Sequence, residues 1–101
     1  MARFLVTYYA GDMPHDRHAV AQARHAFLQW AEKAGPALAD LGSPIRSVTT
    51  ISATGVHDGP AAGPFMGWSV IEAASREAAA GILQDHPFIN HGGTLQLSEP
   101  V

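Results

Sequence analysis

Apolar residues recur along the chain with two different periods, which predict a mixture of strands and helices. Residues 3–9, 45–52, 65–73 and about 93–98 combine β-branched or aromatic residues with the alternation typical of strands. Residues 16–34 and 75–85 repeat apolar side chains every three or four positions, which is the spacing of one helical stripe. The predicted element order is therefore β-α-β-β-α-β.

Turn-forming residues separate these predicted elements. Gly35-Pro36 ends the first helix, because proline cannot continue it, and Asp12 or Asp16 is a candidate cap at its start. Ser75 is a candidate N-cap for the second helix, which stops near His86-Pro87. Residues 37–44 are predicted to be a connection with at most one helical turn. Residues 53–64 are predicted to form a turn-rich loop, and residues 88–91 a linker.

This element order is that of the ferredoxin-like split βαβ motif, an α+β fold. It predicts a single domain over residues 1–101, with a four-stranded antiparallel sheet and both helices on one face. The first strand carries bulky residues on both faces, so the face without helices would be left bare in a monomer. Only 15% of the residues are charged. We therefore expect a homodimer in which two sheets pack face to face.

Charge and composition narrow the classes of function. The net charge is −3, and the six Lys and Arg residues are scattered, so nucleic-acid binding is not expected. No stretch reaches the length of about 18 apolar residues that a membrane span needs, and the N-terminus shows no signal-peptide pattern. The chain has no cysteine, which is consistent with a reducing compartment. We expect a cytoplasmic protein.

Several short motifs occur in a characteristic order. They are RFLV at 3–6, GWSVIEA at 67–73, SREAA at 75–79, the proline at 87 and HGGTLQL at 91–97. Together with Trp30 in the first helix, this arrangement resembles the YCII-related (DGPF-type) family over nearly the whole chain. The resemblance implies a dimeric α+β barrel. The chain departs from the family pattern at 58–61, where Asp-Gly-Pro is followed by alanine instead of phenylalanine.

Histidine is the main source of candidate chemistry, because it titrates near neutral pH. The chain has six histidines: His15, His18, His25, His57, His86 and His91. The resemblance implies that His25 is an acid–base group paired with an acidic residue, either Asp58 or Asp40. The helical wheel places His25 nearly opposite Phe27 and Trp30, which instead favours an exposed position.

His86 is the second catalytic candidate. It lies on the inward stripe of the second helix, where a buried, hydrogen-bonded histidine is the simpler interpretation. His15 and His18 are expected at the surface, and so is His57 unless it lines a site beside Asp58.

Four residues are candidates to line a pocket between sheet and helices: Tyr8, Trp30, Trp68 and His91. Core packing is the alternative for both tryptophans. The sequence lacks the ligand runs of zinc sites and the glycine loops that hold phosphates, so we expect neither a metal nor a cofactor.

Three hypotheses of function remain open at this stage. The first is a cofactor-free enzyme that uses histidine acid–base chemistry on a small molecule, for example an aromatic one, as some YCII-like relatives are credited with lyase-type chemistry. The second is a non-catalytic small-molecule-binding or accessory domain. The third is a purely structural dimer module.

Overall fold

The computed structural model describes residues 1–10, 17–61, 63–90 and 92–101, with only the backbone described at Val20. It is a mixed α+β structure with a four-stranded sheet, a separate hairpin, three α-helices and one turn of 3₁₀ helix at Gly35–Ala37 within these ranges. The elements are β1 (Ala2–Tyr9), α1 (Arg17–Ala34), β2 (Leu38–Pro44), β3 (Thr49–Ser52), β4 (Gly55–Asp58), β5 (Phe65–Ala73), α2 (Arg76–Leu83), α3 (Pro87–Asn90) and β6 (Thr94–Ser98).

The sheet has the strand order β2-β5-β1-β6, and each neighbouring pair is antiparallel. β1 and β5 form its centre, with Phe4 opposite Ile71 and Tyr8 opposite Gly67. β6 forms one edge and β2 the other. Within the described part of the chain, β3 and β4 pair with each other and with no other strand, as a separate two-stranded hairpin.

One face of the sheet carries the hydrophobic core. Its register places alternate residues of β1 and β5 toward Trp30 of α1 and toward Ala79 and Leu83 of α2, so both helices cover this face. Burial of apolar surface there supplies most of the stabilisation that a chain of this size can obtain. The fully assembled core comprises Phe4, Val6, Tyr8, Trp30, Ile71, Ala73, Ala79 and Leu83.

We call the opposite side the helix-free face; it is formed by Arg3, Leu5, Thr7 and Tyr9 of β1 and by Trp68, Val70 and Glu72 of β5. Leu5 retains 39% of its surface in contact with solvent, and Trp68 and Val70 are half-buried. The Arg3 guanidinium contacts the Glu72 carboxylate at 3.4 Å across the strand pair. This face is therefore largely apolar at its centre and charged at one end.

The prediction for residues 37–52 is wrong. Residues 38–44, predicted to be a connection, form the edge strand β2, while the predicted strand at 45–52 contributes only β3. β2 contains Gly42 and Pro44, which strands normally avoid, and its pairing with β5 is interrupted by two irregularities. Gly42 has a φ of +74°, and a side chain there would collide with the backbone carbonyl of Trp68. Pairing with a central strand thus overrides the local preference of this segment.

Two further predicted segments contain regular structure. β4 lies inside the predicted loop at 53–64, and the short helix α3 occupies most of the predicted linker at 88–91. β4 pairs with the preceding strand, β3, with Ile51 opposite Val56. Both of these side chains are mostly exposed, so the hairpin has no apolar face against the core that the sequence pattern would reveal.

Other predictions of elements are confirmed. β5 spans residues 65–73, α1 ends at Ala34, and the Ser75 hydroxyl accepts a hydrogen bond from the Ala78 amide at 3.1 Å as an N-cap. Gly67 marks a close approach of strands, since a Cβ there would lie 3.0 Å from the Ser43 carbonyl oxygen. The predicted caps Asp12 and Asp16 and the predicted surface residue His15 lie outside the described residues. None of the described helices is long and apolar enough to cross a bilayer.

Candidate ligand-binding site

A cavity of about 400 Å³ lies between α1, the ends of β2 and β5, and the segment that joins α2 to α3. Its volume falls within the range of about 300–1,000 Å³ that is usual for small-molecule sites. Most of its wall is apolar or aromatic. The lining residues are Tyr8, Ala23, Arg24, Phe27, Leu28, Leu41, Gly42, Ser43, Pro44, Met66, Gly67, Trp68, His86, Pro87 and Phe88.

A chain of hydrogen bonds fixes one wall of the cavity. The Ser69 hydroxyl donates to the Leu41 carbonyl at 2.8 Å, and it lies 2.7 Å from the Tyr8 hydroxyl. A serine hydroxyl has one proton, so Tyr8 must be the donor to Ser69. The phenol oxygen of Tyr8 therefore keeps its acceptor capacity. Burial raises the pKa of Tyr8, although the bond to Ser69 opposes this, and the phenol stays protonated at neutral pH.

His86 lies between the aromatic side chains at the back of the cavity and is only 2% exposed. Its Nδ1 accepts a hydrogen bond from the Phe88 amide at 3.0 Å, so the ring proton of the neutral form is on Nε2. Nε2 is also buried and has no hydrogen-bond partner among the described residues. Burial lowers the pKa of His86 to about 4, and the nearby Asp85 carboxylate opposes this shift only in part.

Aromatic rings hold the His86 imidazole in place. Its ring centroid is 4.3 Å from that of Trp30, 5.2 Å from Tyr8 and 5.5 Å from Phe27. Asp85 precedes His86 in the chain and accepts a hydrogen bond from Trp30 of this cluster. The neutral imidazole therefore packs like a further aromatic ring, since buried aromatic pairs are favourable in tilted arrangements.

Trp30 connects this cluster to the end of α2. Its indole Nε1 donates to an Asp85 carboxylate oxygen at 3.2 Å and approaches the Ile82 carbonyl at 3.4 Å. The other Asp85 oxygen accepts from the Lys33 ammonium at 2.6 Å. The bond to Lys33 is the main reason that the pKa of Asp85 is lowered. The carboxylate thus joins α1 to the segment that carries His86.

The structure brings together only some of the residues predicted from sequence. Tyr8, Trp68 and His86 line the cavity, and Trp30 packs behind His86. The β1–β5 register directs the Trp68 side chain to the helix-free face, so it is the backbone of Trp68 that borders the cavity.

The remaining candidates lie elsewhere. His25 is exposed on α1 and does not belong to the cavity lining, and Asp58 is exposed at the end of β4. Asp40 is exposed on β2, where its carboxylate accepts a hydrogen bond from the Gly42 amide at 2.9 Å. His91 lies outside the described residues.

Sequence reasoning did not single out several residues of this site, among them Ser69, Arg24 and Phe88. Ser69 lies on the small-residue face of its predicted strand, where a hydroxyl between glycine and isoleucine is a polar residue at a core position. Arg24, Phe27 and Leu28 share one side of α1 at the three-and-four spacing. These two patterns are the sequence features that indicate Ser69 and Arg24 as possible residues of the site.

In the part of the chain that the structure describes, no group of three or more His, Cys, Asp or Glu side chains could hold a metal ion. No protein-family model matches the chain, and neither a curated protein nor a solved structure matches it. The cavity and its contacts therefore carry the functional interpretation.

Proposed function

We propose that the domain binds a small, mainly apolar molecule in the cavity between α1 and the β2–β5 edge of the sheet. The observation that carries this proposal is the cavity itself, about 400 Å³ with walls formed largely by Phe27, Leu28, Met66 and Phe88. An apolar concave site with a few fixed polar groups is the usual form of a small-molecule site.

Fixed polar groups support binding to a preformed site. Tyr8 is held through Ser69 to the Leu41 carbonyl, and His86 is held by the Phe88 amide. Side chains that are already ordered lose little further entropy when a ligand arrives, which favours affinity. The cavity wall is thus suited to recognise mainly the shape of a ligand, and the polar groups of the ligand to a lesser extent.

The state of His86 favours binding over base catalysis. A general base needs a free nitrogen lone pair and a pKa near the working pH. The lone pair of Nδ1 is occupied by the Phe88 amide, and the pKa of His86 is lowered to about 4 by burial. His86 is therefore a neutral hydrogen-bond donor at neutral pH, and a non-catalytic binding or accessory role fits it best.

The experiment uses the neutral fluorescent probe N-phenyl-1-naphthylamine and a variant that fills the cavity. Ala23 lines the cavity, whereas Ala21 is exposed on the same helix and does not. The probe should bind the native protein and Ala21→Phe with the same affinity, and Ala23→Phe should reduce binding at least tenfold. Equal binding by both variants would place the probe elsewhere and refute the proposal.

A second candidate is a cofactor-free enzyme that acts on a small molecule, for example an aromatic one. One observation favours it: Nε2 of His86 carries a proton without a partner, and Tyr8 lies 5.2 Å away between ring centroids. A neutral imidazole can polarise a substrate carbonyl by donating such a proton. Loss of turnover in His86→Asn, with turnover unchanged in His25→Asn, would support this role and would argue against His25 and Asp58 as the catalytic pair.

We also propose that the fold is ferredoxin-like, that the chain is related to the YCII (DGPF-type) proteins, and that it forms a homodimer as a dimeric α+β barrel. The strand order β2-β5-β1-β6 and the helices on one face support the first proposal. The apolar centre of the helix-free face supports the homodimer, because a second copy of that face would cover it.

A further inference from the structure

We propose that the molecule held in the cavity is a small apolar monoanion whose carboxylate pairs with Arg24. This inference rests on the proposed binding function and names the chemical class of its ligand. It depends on three properties of the site: the charge at the cavity, the unpaired state of Arg24 and the character of the remaining wall.

Among the described residues that line the cavity, Arg24 is the only one with a charged side chain. His86 also lines the cavity, but it is neutral at physiological pH because burial lowers its pKa to about 4. Neither an aspartate nor a glutamate lines the cavity within the described residues. Arg24 is therefore a cationic residue at the edge of the described cavity, and it would disfavour a cationic ligand.

Arg24 forms neither of the two ion pairs found in the described ranges, which use Arg3 with Glu72 and Lys33 with Asp85. Its neighbours at three and four positions along α1 are Val20, Ala21, Phe27 and Leu28, so no carboxylate lies within one helical turn of Arg24 on its own helix. A planar guanidinium is suited to receive a carboxylate through two parallel hydrogen bonds. Arg24 is thus a cation beside an apolar cavity with no acidic partner in the described structure.

The remaining wall selects the body of the ligand. Phe27, Phe88 and Tyr8 supply aromatic surface, and Leu28 and Met66 supply aliphatic surface. A ligand that fills this space must be largely apolar, since a second charged group would lose its hydration without a partner. A carboxylate joined to an aromatic or branched hydrocarbon body meets both requirements, whereas a dianionic phosphate ester meets only the first.

Calorimetric titration with 2-naphthoate and its neutral analogue 2-naphthamide tests this inference. The native protein should bind the carboxylate about five- to tenfold more tightly than the amide, as expected for one partly exposed charge-assisted contact. Arg24→Gln should reduce this ratio to about one. Arg76→Gln removes the same charge from an exposed position at the start of α2 and should keep the native ratio.

The outcomes separate this inference from the proposed function. Equal binding of carboxylate and amide to the native protein, or a preference that persists in Arg24→Gln, would overturn the monoanion while leaving the cavity as a binding site. Binding of the amide that Ala23→Phe does not affect would instead overturn the cavity, and the monoanion with it. A preference that only Arg24→Gln removes, with both ligands excluded by Ala23→Phe, would support both proposals.

Discussion

The Ser69 hydroxyl joins two other residues of the cavity wall, because it accepts from Tyr8 and donates to the Leu41 carbonyl. Ser69→Ala removes both bonds and leaves a buried hydroxyl and a carbonyl unpaired, so we expect a loss of about 2–3 kcal/mol in the free energy of unfolding. Tyr8→Phe removes one bond and should cost about 1 kcal/mol. Urea denaturation measures both values.

Tyr9→Phe is the matched control for this pair of variants. Tyr9 follows Tyr8 in β1 but lies on the helix-free face, so its substitution should change stability by less than about 0.5 kcal/mol. If Tyr8→Phe destabilises the protein more than Ser69→Ala does, the direction of the hydrogen-bond chain inferred from the single serine proton is wrong.

His86 should make stability depend on pH. Its pKa is about 4 in the folded protein and 6.5 in the unfolded chain, so between these values only the unfolded chain binds the proton. The contribution of neutral, buried His86 to the free energy of unfolding is therefore complete above pH 6.5, and it is lost as the pH falls toward 4. Between pH 7 and pH 5 the loss amounts to about 2 kcal/mol, measurable by urea denaturation at each pH.

His86→Asn tests whether this residue is the source of that dependence. The asparagine side chain can still accept from the Phe88 amide but does not titrate, so most of the difference between pH 7 and pH 5 should disappear. His57 is exposed on β4, and His57→Asn should retain the native difference. An unchanged difference in His86→Asn would show that other groups cause it.

At the scale of single residues, sequence predicts burial better than it predicts partners. The helical stripe placed His86 on the inward side of the second helix, and its burial is confirmed. Its hydrogen bond with the Phe88 amide depends on the turn that starts α3, whereas the sequence of residues 88–91 predicts only a linker. Ser69 and Leu41 are 28 positions apart, and only the pairing of β2 with β5 brings them together.

Among the elements, β2 depends most on one residue. Gly42 has a left-handed φ, and a Cβ at this position would overlap the Trp68 carbonyl of β5. Gly42→Ala must therefore separate β2 from β5 or distort both strands, and we expect a loss of more than about 4 kcal/mol in stability or a failure to fold. Thermal denaturation followed by circular dichroism measures this loss.

Gly35→Ala separates the two causes of that effect. Gly35 follows α1 and also has a left-handed φ, of +56°, but no described residue other than its chain neighbours lies within 4 Å of where a Cβ would be. Only the conformational cost remains there, about 1–2 kcal/mol. Similar losses for the two variants would mean that the contact of β2 with β5 contributes little.

The predicted elements succeeded where one local pattern ran without interruption. β5 alternates small buried and larger residues over its whole length, and α1 carries a regular stripe up to Gly35-Pro36, so both ends of β5 and the end of α1 were predictable. β2 contains glycine, proline and aspartate, and only pairing with β5 makes it a strand. β3 and β4 form an exposed hairpin, whose strands lack the buried alternation that sequence analysis detects.

At the scale of the whole molecule, the helix-free face is the surface whose apolar centre the monomer leaves uncovered. A homodimer through this face predicts a mass near twice 10.7 kDa by light scattering at micromolar concentration. Leu5→Glu would place a charge at the centre of the apolar contact, where burying it without a partner is costly, so this variant should be monomeric.

Ile89→Glu is the control for the Leu5 variant, because the two native side chains are almost equally exposed, at 41% and 39%. Ile89 belongs to α3 on the helical side of the sheet, so its substitution should leave the dimer intact. A native mass near 10.7 kDa would refute the dimer. Dissociation by Ile89→Glu with an intact Leu5→Glu dimer would instead place the interface on the helical side, because a charge disrupts only the contact in which it is buried.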